Sequence, residues 1–173
     1  MSRGKNNQKL PNNSTLTNRD HYFMQRAIQL AEKGIENNAG GPFGCVIVKD
    51  DTIIAEGYNR VTSTNDPTAH AEIIAIREAC QTLNTFQLVD CIIYTSCEPC
   101  PMCFGAIYWA RLKMVYFACD KWDAAQFEFD DQFIYDELDK DHEEREIKFA
   151  RLLRKDALPV FNKWLKKTDK INY

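Results

Sequence analysis

Apolar positions recur along the chain in two rhythms. Met24, Ala27, Ile28, Ala31 and Ile35 share one face of a 3.6-residue period, which predicts an amphipathic helix over residues 18–37. Thr17, with Asp20 three residues on, offers a capping box for its start, and Gly34 suits its end. Two β-branched runs at 45–49 and 52–56, split by Asp50-Asp51, predict a hairpin, although Asp-Asp is a weaker turn signal than Asp-Gly. Asp66-Pro67-Thr68 reads as a helix entry, and Ile73, Ile74, Ile76 and Ala79 carry that helix onward. A strand at 91–95, an apolar helix at 102–110 and a strand at 114–118 follow. Ile147 and Phe149 alternate like a strand, with a helix as the alternative, and Asp156 opens a last helix with Leu158, Phe161, Trp164 and Leu165.

The order helix, hairpin, helix, strand, helix, strand predicts a three-layer α/β domain. Its two strand–helix–strand passes imply a partly parallel sheet with right-handed crossovers. Length and composition agree. The 173 residues suit one domain, with 45% hydrophobic and 27% charged residues. Residues 1–18 read as a flexible basic tail and 19–173 as the single domain, with 156–173 its C-terminal helix and tail. No apolar run approaches the roughly 20 residues of a membrane span, so no membrane is expected as a partner.

Charge changes the picture more. The net charge of −3 excludes a strongly basic nucleic-acid footprint, so nucleic acid is not the expected partner. That value averages two blocks: 121–146 holds 11 acids against 3 bases, and 147–173 holds 8 bases against 2 acids. Both read first as solvated faces.

Seven cysteines, an odd count, do not read as a disulfide framework and point to reduced thiols in a cytoplasmic setting. Two of them carry chemistry. His70-Ala71-Glu72 is followed about 30 residues later by Glu98-Pro99-Cys100-Pro101-Met102-Cys103. Cysteines three apart at a helix start project to one side, and the positive helix end favours their thiolates. With His70 they make a Cys₂His set for zinc that leaves the fourth position to water, which is the catalytic rather than the structural pattern. Two thiolates and a neutral imidazole cancel the charge of zinc, so a carboxylate must take the water's proton. Glu72 fits that role if the metal lies off the helix N-terminus, because positions two apart otherwise sit roughly 200° round a helix. The combination H-x-E plus P-C-x-x-C is the zinc deaminase signature.

The remaining cysteines take simpler roles. Cys45, Cys80, Cys91 and Cys119 read as small buried hydrophobes, and Cys97 is not needed because three ligands are supplied. His21 and His142 read as surface residues, Trp109 and Trp122 as packing residues, and Trp164 as the anchor of the last helix.

Four strings, GGPFG at 40–44, NDPTAHAE at 65–72, TSCEPCPMCFGAIYWAR at 95–111 and FDDQFIY at 129–135, resemble the small bacterial-type guanine deaminases of the cytidine-deaminase fold. The resemblance covers the chain from about residue 20 to the final Tyr173. It implies a five-stranded mixed sheet between helices, one zinc per subunit, and hydrolysis of free guanine to xanthine and ammonia. It also implies a homodimer with exchangeable C-terminal segments that carry the last tyrosine over the partner's active site. By position, Asn59, His70, Ala71, Glu72, Cys100, Cys103, Asp131 and Tyr173 match residues around metal and purine, and Phe43 matches a ring stacked on the base.

Composition alone would make Asn59 a turn residue, Phe43 a core residue, Asp131 part of a solvated face and Tyr173 a frayed end. Asp131 gains its case from the amino and ring N–H groups that a carboxylate accepts, and it is a candidate proton carrier beside Glu72. The metal motif is shared with tRNA adenosine deaminases and fungal-type cytosine deaminases, so it fixes chemistry rather than substrate. A tRNA adenosine deaminase, another amino-ring deaminase and a non-catalytic zinc module of the same fold remain as alternatives.

Overall fold

A computed structural model describes residues 16–172. Helix α1 (Asn18–Glu36) opens on the expected capping box, with Thr17 and Asp20 exchanging hydrogen bonds. Strands β1 (Gly44–Lys49) and β2 (Thr52–Tyr58) form the hairpin. Asp50 and Asp51 both take positive φ, 47° and 61°, as the twist of a two-residue hairpin turn demands. A short helix α2 (Val61–Thr64) precedes α3 (Ala71–Thr82). Strand β3 (Ile92–Cys97), helix α4 (Pro101–Ala110) and strand β4 (Met114–Cys119) then make the parallel unit.

The strands lie in the order β2-β1-β3-β4, with β1 antiparallel to both neighbours and β3 parallel to β4. Alternation along β1 divides the core. Val46 and Val48 face Phe23 and Leu30 of α1, while Cys45 and Ile47 face Ala71, Ala75 and Ala79 of α3 and Ile107 of α4. The result is the expected three layers, each large aliphatic in them contributing ~1.5–3 kcal/mol through burial. Tyr94 crosses to the α1 face and donates its hydroxyl to Asp20 at 2.6 Å, tying β3 to the cap of α1. Gly57 has no side chain for a spatial reason: a Cβ there would lie 2.2 Å from the Ala71 carbonyl, so α3 could not seat its first turn on β2.

Several expectations need correction. Among the described residues the sheet has four strands, not five. Residues 147–149 form no ladder, and Ile147 and Phe149 are exposed, because alternation supplies a strand's faces but not a neighbour to pair with. Asp66-Pro67-Thr68 is not the helix entry. Asp66 accepts from the Thr68 N–H and hydroxyl in a local turn, and the helix begins three residues later. Cys119 is exposed rather than buried, and on the single chain Trp109 and Trp122 also stand exposed. Helices α5 (Lys121–Ala125), α6 (Gln132–Asp139) and α7 (Arg154–Lys166) complete the chain, and no described residue after Ala110 is buried. No helix of the described residues is long and apolar enough to cross a membrane.

Candidate active site

The carboxyl ends of β2 and β3 and the amino ends of α3 and α4 meet at one place. His70 is the N-cap of α3 and Cys100 the N-cap of α4, so two helix N-termini converge on the same point. This answers the geometric difficulty posed by His70 and Glu72, since both lie at the open end of α3 rather than along its side. His70 Nδ1 is 3.5 Å from Cys100 Sγ and 3.5 Å from Cys103 Sγ, and one donor atom from each residue falls within 4.8 Å of the others. Tetrahedral bonds of about 2.3 Å to sulfur and about 2.05 Å to nitrogen would put those atoms roughly 3.6 Å apart, so the donor set fits zinc. Cys97 stays outside this group, as expected. Its thiol donates to the Asp120 carbonyl, and burial pushes it up to about 12, which keeps it protonated.

The electrostatics suit metal binding. The Cys100 thiol is drawn down to about 4 by the hydrogen bond from Cys103, then, against burial, by the one with His70. The Cys103 thiol is correspondingly raised by its hydrogen bond with Cys100 and by burial, so a metal binding there would displace its proton. Glu72 is only 6% exposed. Burial raises its carboxyl above the usual range, with the Cys100 thiolate adding to the effect, and a carboxyl raised in this way is a better proton acceptor than a free one.

These groups open onto a cavity of about 400 Å³, ample for a small ring compound. It brings together most of the residues expected from the sequence: Phe43, Asn59, His70, Glu72, Cys100 and Asp131 all line it. Phe43 meets Phe129 edge to face at 4.9 Å, so the pair forms an aromatic wall. Asp131 occupies the N-cap position of α6 without a capping side-chain hydrogen bond, and its carboxyl is raised by burial and by the Cys100 thiolate, while Lys121 opposes the shift. Ala71 is fully buried behind the lining, and Tyr173 lies outside the described residues.

Sequence reasoning missed Glu98 and Lys121. The Glu98 carboxylate accepts from the Lys121 backbone N–H at 3.0 Å, and the Lys121 ammonium reaches Gln132 at 3.2 Å and stands 4.4 Å from the centre of the Tyr135 ring. Together they tie the cysteine loop to the segment that carries Asp131. The only signal for Glu98 was its place in the Glu-Pro-Cys string, and Lys121 had none.

Comparison with known proteins follows the same outline. The chain is 56% identical over 151 residues to the guanine deaminase of Bacillus subtilis, covering 87% of this chain and 97% of that protein. The X-ray structure of guanine deaminase from that organism superposes with a TM-score of 0.87 at 54% identity, over 91% of this chain and 99% of that one. A tRNA-specific adenosine deaminase of Buchnera aphidicola is 44% identical over 101 residues, covering 58% of this chain and 66% of that protein. Residues 17–119 match the cytidine and deoxycytidylate deaminase zinc-binding region, a span that contains the whole donor set and Glu72, and the chain belongs to that deaminase family.

Proposed function

We propose that the protein is a zinc-dependent deaminase that hydrolyses free guanine to xanthine and ammonia. The carrying observation is the buried Glu72 carboxyl opening, beside the His70, Cys100 and Cys103 donors, onto a cavity walled by Phe43 and Asp131. High identity to a guanine deaminase over nearly its whole length supports the choice of base. His70, Cys100 and Cys103 would hold one zinc ion per chain, which would acidify a water molecule at the open fourth position. Glu72 accepts the proton from that water and delivers it to ring N3 as oxygen joins C2. Glu72 then takes the second proton from the oxygen now on C2 and passes it, alone or with help from Asp131, to the 2-amino group, which leaves as ammonia as the C2–N bond breaks and the C2 carbonyl forms. Phe43 stacks on the ring. Asn59 donates to an acceptor edge, the Ala71 turn closes the floor, and the Asp131 carboxylate accepts ring N–H and amino groups.

The protein acts as a homodimer with exchanged C-terminal segments, each placing Tyr173 over its partner's cavity. Supporting this, Ile147, Leu152, Phe161 and Leu165 stand 77%, 83%, 70% and 70% exposed on a single chain, a surface that calls for a second copy. The seven free cysteines fit a reducing cytoplasm.

Ammonia release from guanine, guanosine, adenine, cytosine and cytidine tests the reading. Turnover of guanine above the rest is expected; guanine failing while another base reacts would overturn it. An adenosine-containing tRNA stem-loop belongs in the same panel, because the family also includes tRNA-specific members.

A further inference from the structure

Asn59 is buried, 5% exposed, and follows β2 at the edge of the cavity. Its side-chain oxygen accepts from the Gly41 N–H at 3.3 Å and from the Val61 N–H at 3.1 Å. A carboxamide oxygen has two lone pairs, so both are used. Turning the amide over would set its NH₂ against two N–H donors, and donors repel donors. The oxygen therefore stays inward, and the NH₂ is the face left for a ligand.

What makes this arrangement fit is the absence of a side chain at Gly40. A Cβ there would lie 2.1 Å from the Asn59 side-chain oxygen and 3.1 Å from its Cγ. Neither neighbour is free to retreat. The Ala39 carbonyl accepts from the Thr62 hydroxyl at 2.9 Å and the Ser63 N–H at 3.1 Å, which staples the loop before Gly40 onto α2. Asn59 is held between the two, with its own N–H on the Phe43 carbonyl at 2.9 Å.

We infer that Gly40 is a specificity-positioning residue, whose bare Cα lets the Gly41 and Val61 N–H groups lock the Asn59 carboxamide with its NH₂ facing the cavity. The site then takes rings that present a hydrogen-bond acceptor at that edge, a carbonyl oxygen or a ring-nitrogen lone pair, and rejects rings that present N–H there. This rests on the reading of the cavity as a base site.

A double-mutant cycle tests it, using Gly40→Ala, Asn59→Ala and the pair, with guanine turnover, metal content and Tm read for each. Gly40→Ala is expected to raise KM by about ten- to hundredfold, with kcat changed far less and zinc content unaltered. In the Asn59→Ala background it should add no further rise in KM, and its lowering of Tm should shrink, because the side-chain atoms it strikes are gone and only the backbone carbonyl of residue 59, 3.0 Å away, remains. Additive effects in both readouts would overturn the proposal. Asn59→Asp keeps one oxygen on the two N–H groups and aims a second acceptor at the ligand, so its KM should rise at least as far as that of Asn59→Ala; wild-type KM in that variant would overturn the donor assignment. A wild-type protein that does not turn over guanine would defeat the base reading, while the Tm cycle would still decide the role of Gly40.

Discussion

The chain up to Ala110 and the chain after it behave as two kinds of material. The first builds both layers of the core around the sheet and supplies the donors and Glu72 from its own residues. In the second, no described residue is buried, and Phe127, Phe133 and Leu152 are 73%, 62% and 83% exposed. Yet this looser part completes the cavity with Phe129 and Asp131. The tRNA-specific relative aligns with little more than half of the chain, and the guanine deaminase with most of it. The difference teaches a division of labour. On the proposed reading the proton chemistry rests on the buried body, and contacts to the ring come from both regions, from Phe43 and Asn59 in the body and from Asp131 in the exposed segment.

The division breaks or holds first on two carboxyls. Glu72→Gln preserves shape and donors, so zinc should remain bound while kcat falls by about 10²–10⁴-fold or more, since no other group at the water can hold its proton. Asp131→Asn should instead raise KM by about ten- to hundredfold and lower kcat far less. Metal analysis and steady-state kinetics separate the two. Substantial turnover by Glu72→Gln would remove the general acid/base assignment, and an equal collapse of kcat in Asp131→Asn would put chemistry in both regions.

Local signals reached the body and, beyond it, strand β4 and helix α7; what they missed after Ala110 was the lack of burial. The capping box of α1, the two hairpin strands and α4 were legible because each rests on neighbours within a few residues. The donor triad was legible because metal chemistry restricts residue type and spacing together. Asn59 was not, since its burial depends on Gly40, 19 positions away, having no Cβ, and spacing carries no trace of that. The fifth strand failed for a related reason: Ile147 and Phe149 have the right alternation, but pairing is a property of the edge they meet. Lys121 stayed hidden because a lysine in a mixed-charge segment looks the same whether it faces water or, as here, Gln132 and Tyr135.

A middle-sized effect sharpens the comparison at the C-terminus. Removing residues 147–173 takes away the basic block, α7 and Tyr173, yet leaves the sheet, the donors and Glu72 in place. Sedimentation should find the full chain as a dimer and the shortened chain as a monomer with unchanged zinc content. The shortened chain should bind guanine about tenfold more weakly, as expected when a covering hydrogen-bonding side chain is lost. Tyr173→Ala in the full chain separates the causes, keeping the dimer while raising KM. A truncated chain that stayed dimeric would refute exchange of this segment.

The smallest effect lies wholly within the body. Arg26 of α1 grips Glu56 of β2 in a two-pronged pair at 2.6 and 2.7 Å, with the two side chains 35% and 33% exposed. The hydrogen bonds from Arg26 hold the Glu56 carboxyl below its usual range despite burial. A carboxyl lowered on folding stabilises the fold fully above its unfolded value of about 4.3 and ceases to do so as the pH falls through the lower folded value. Because water and salt reach a pair this exposed, Glu56→Gln should cost only ~0.5–1 kcal/mol near neutral pH, less in high salt. Urea unfolding of the two proteins should therefore differ at about pH 7 and converge as the pH falls below the lowered Glu56 value. Neither kcat nor KM should move, since the pair joins α1 to β2 away from the cavity lining. A gap in stability that persists undiminished in acid would mean that the pair holds α1 through packing of the arginine stem and not through charge.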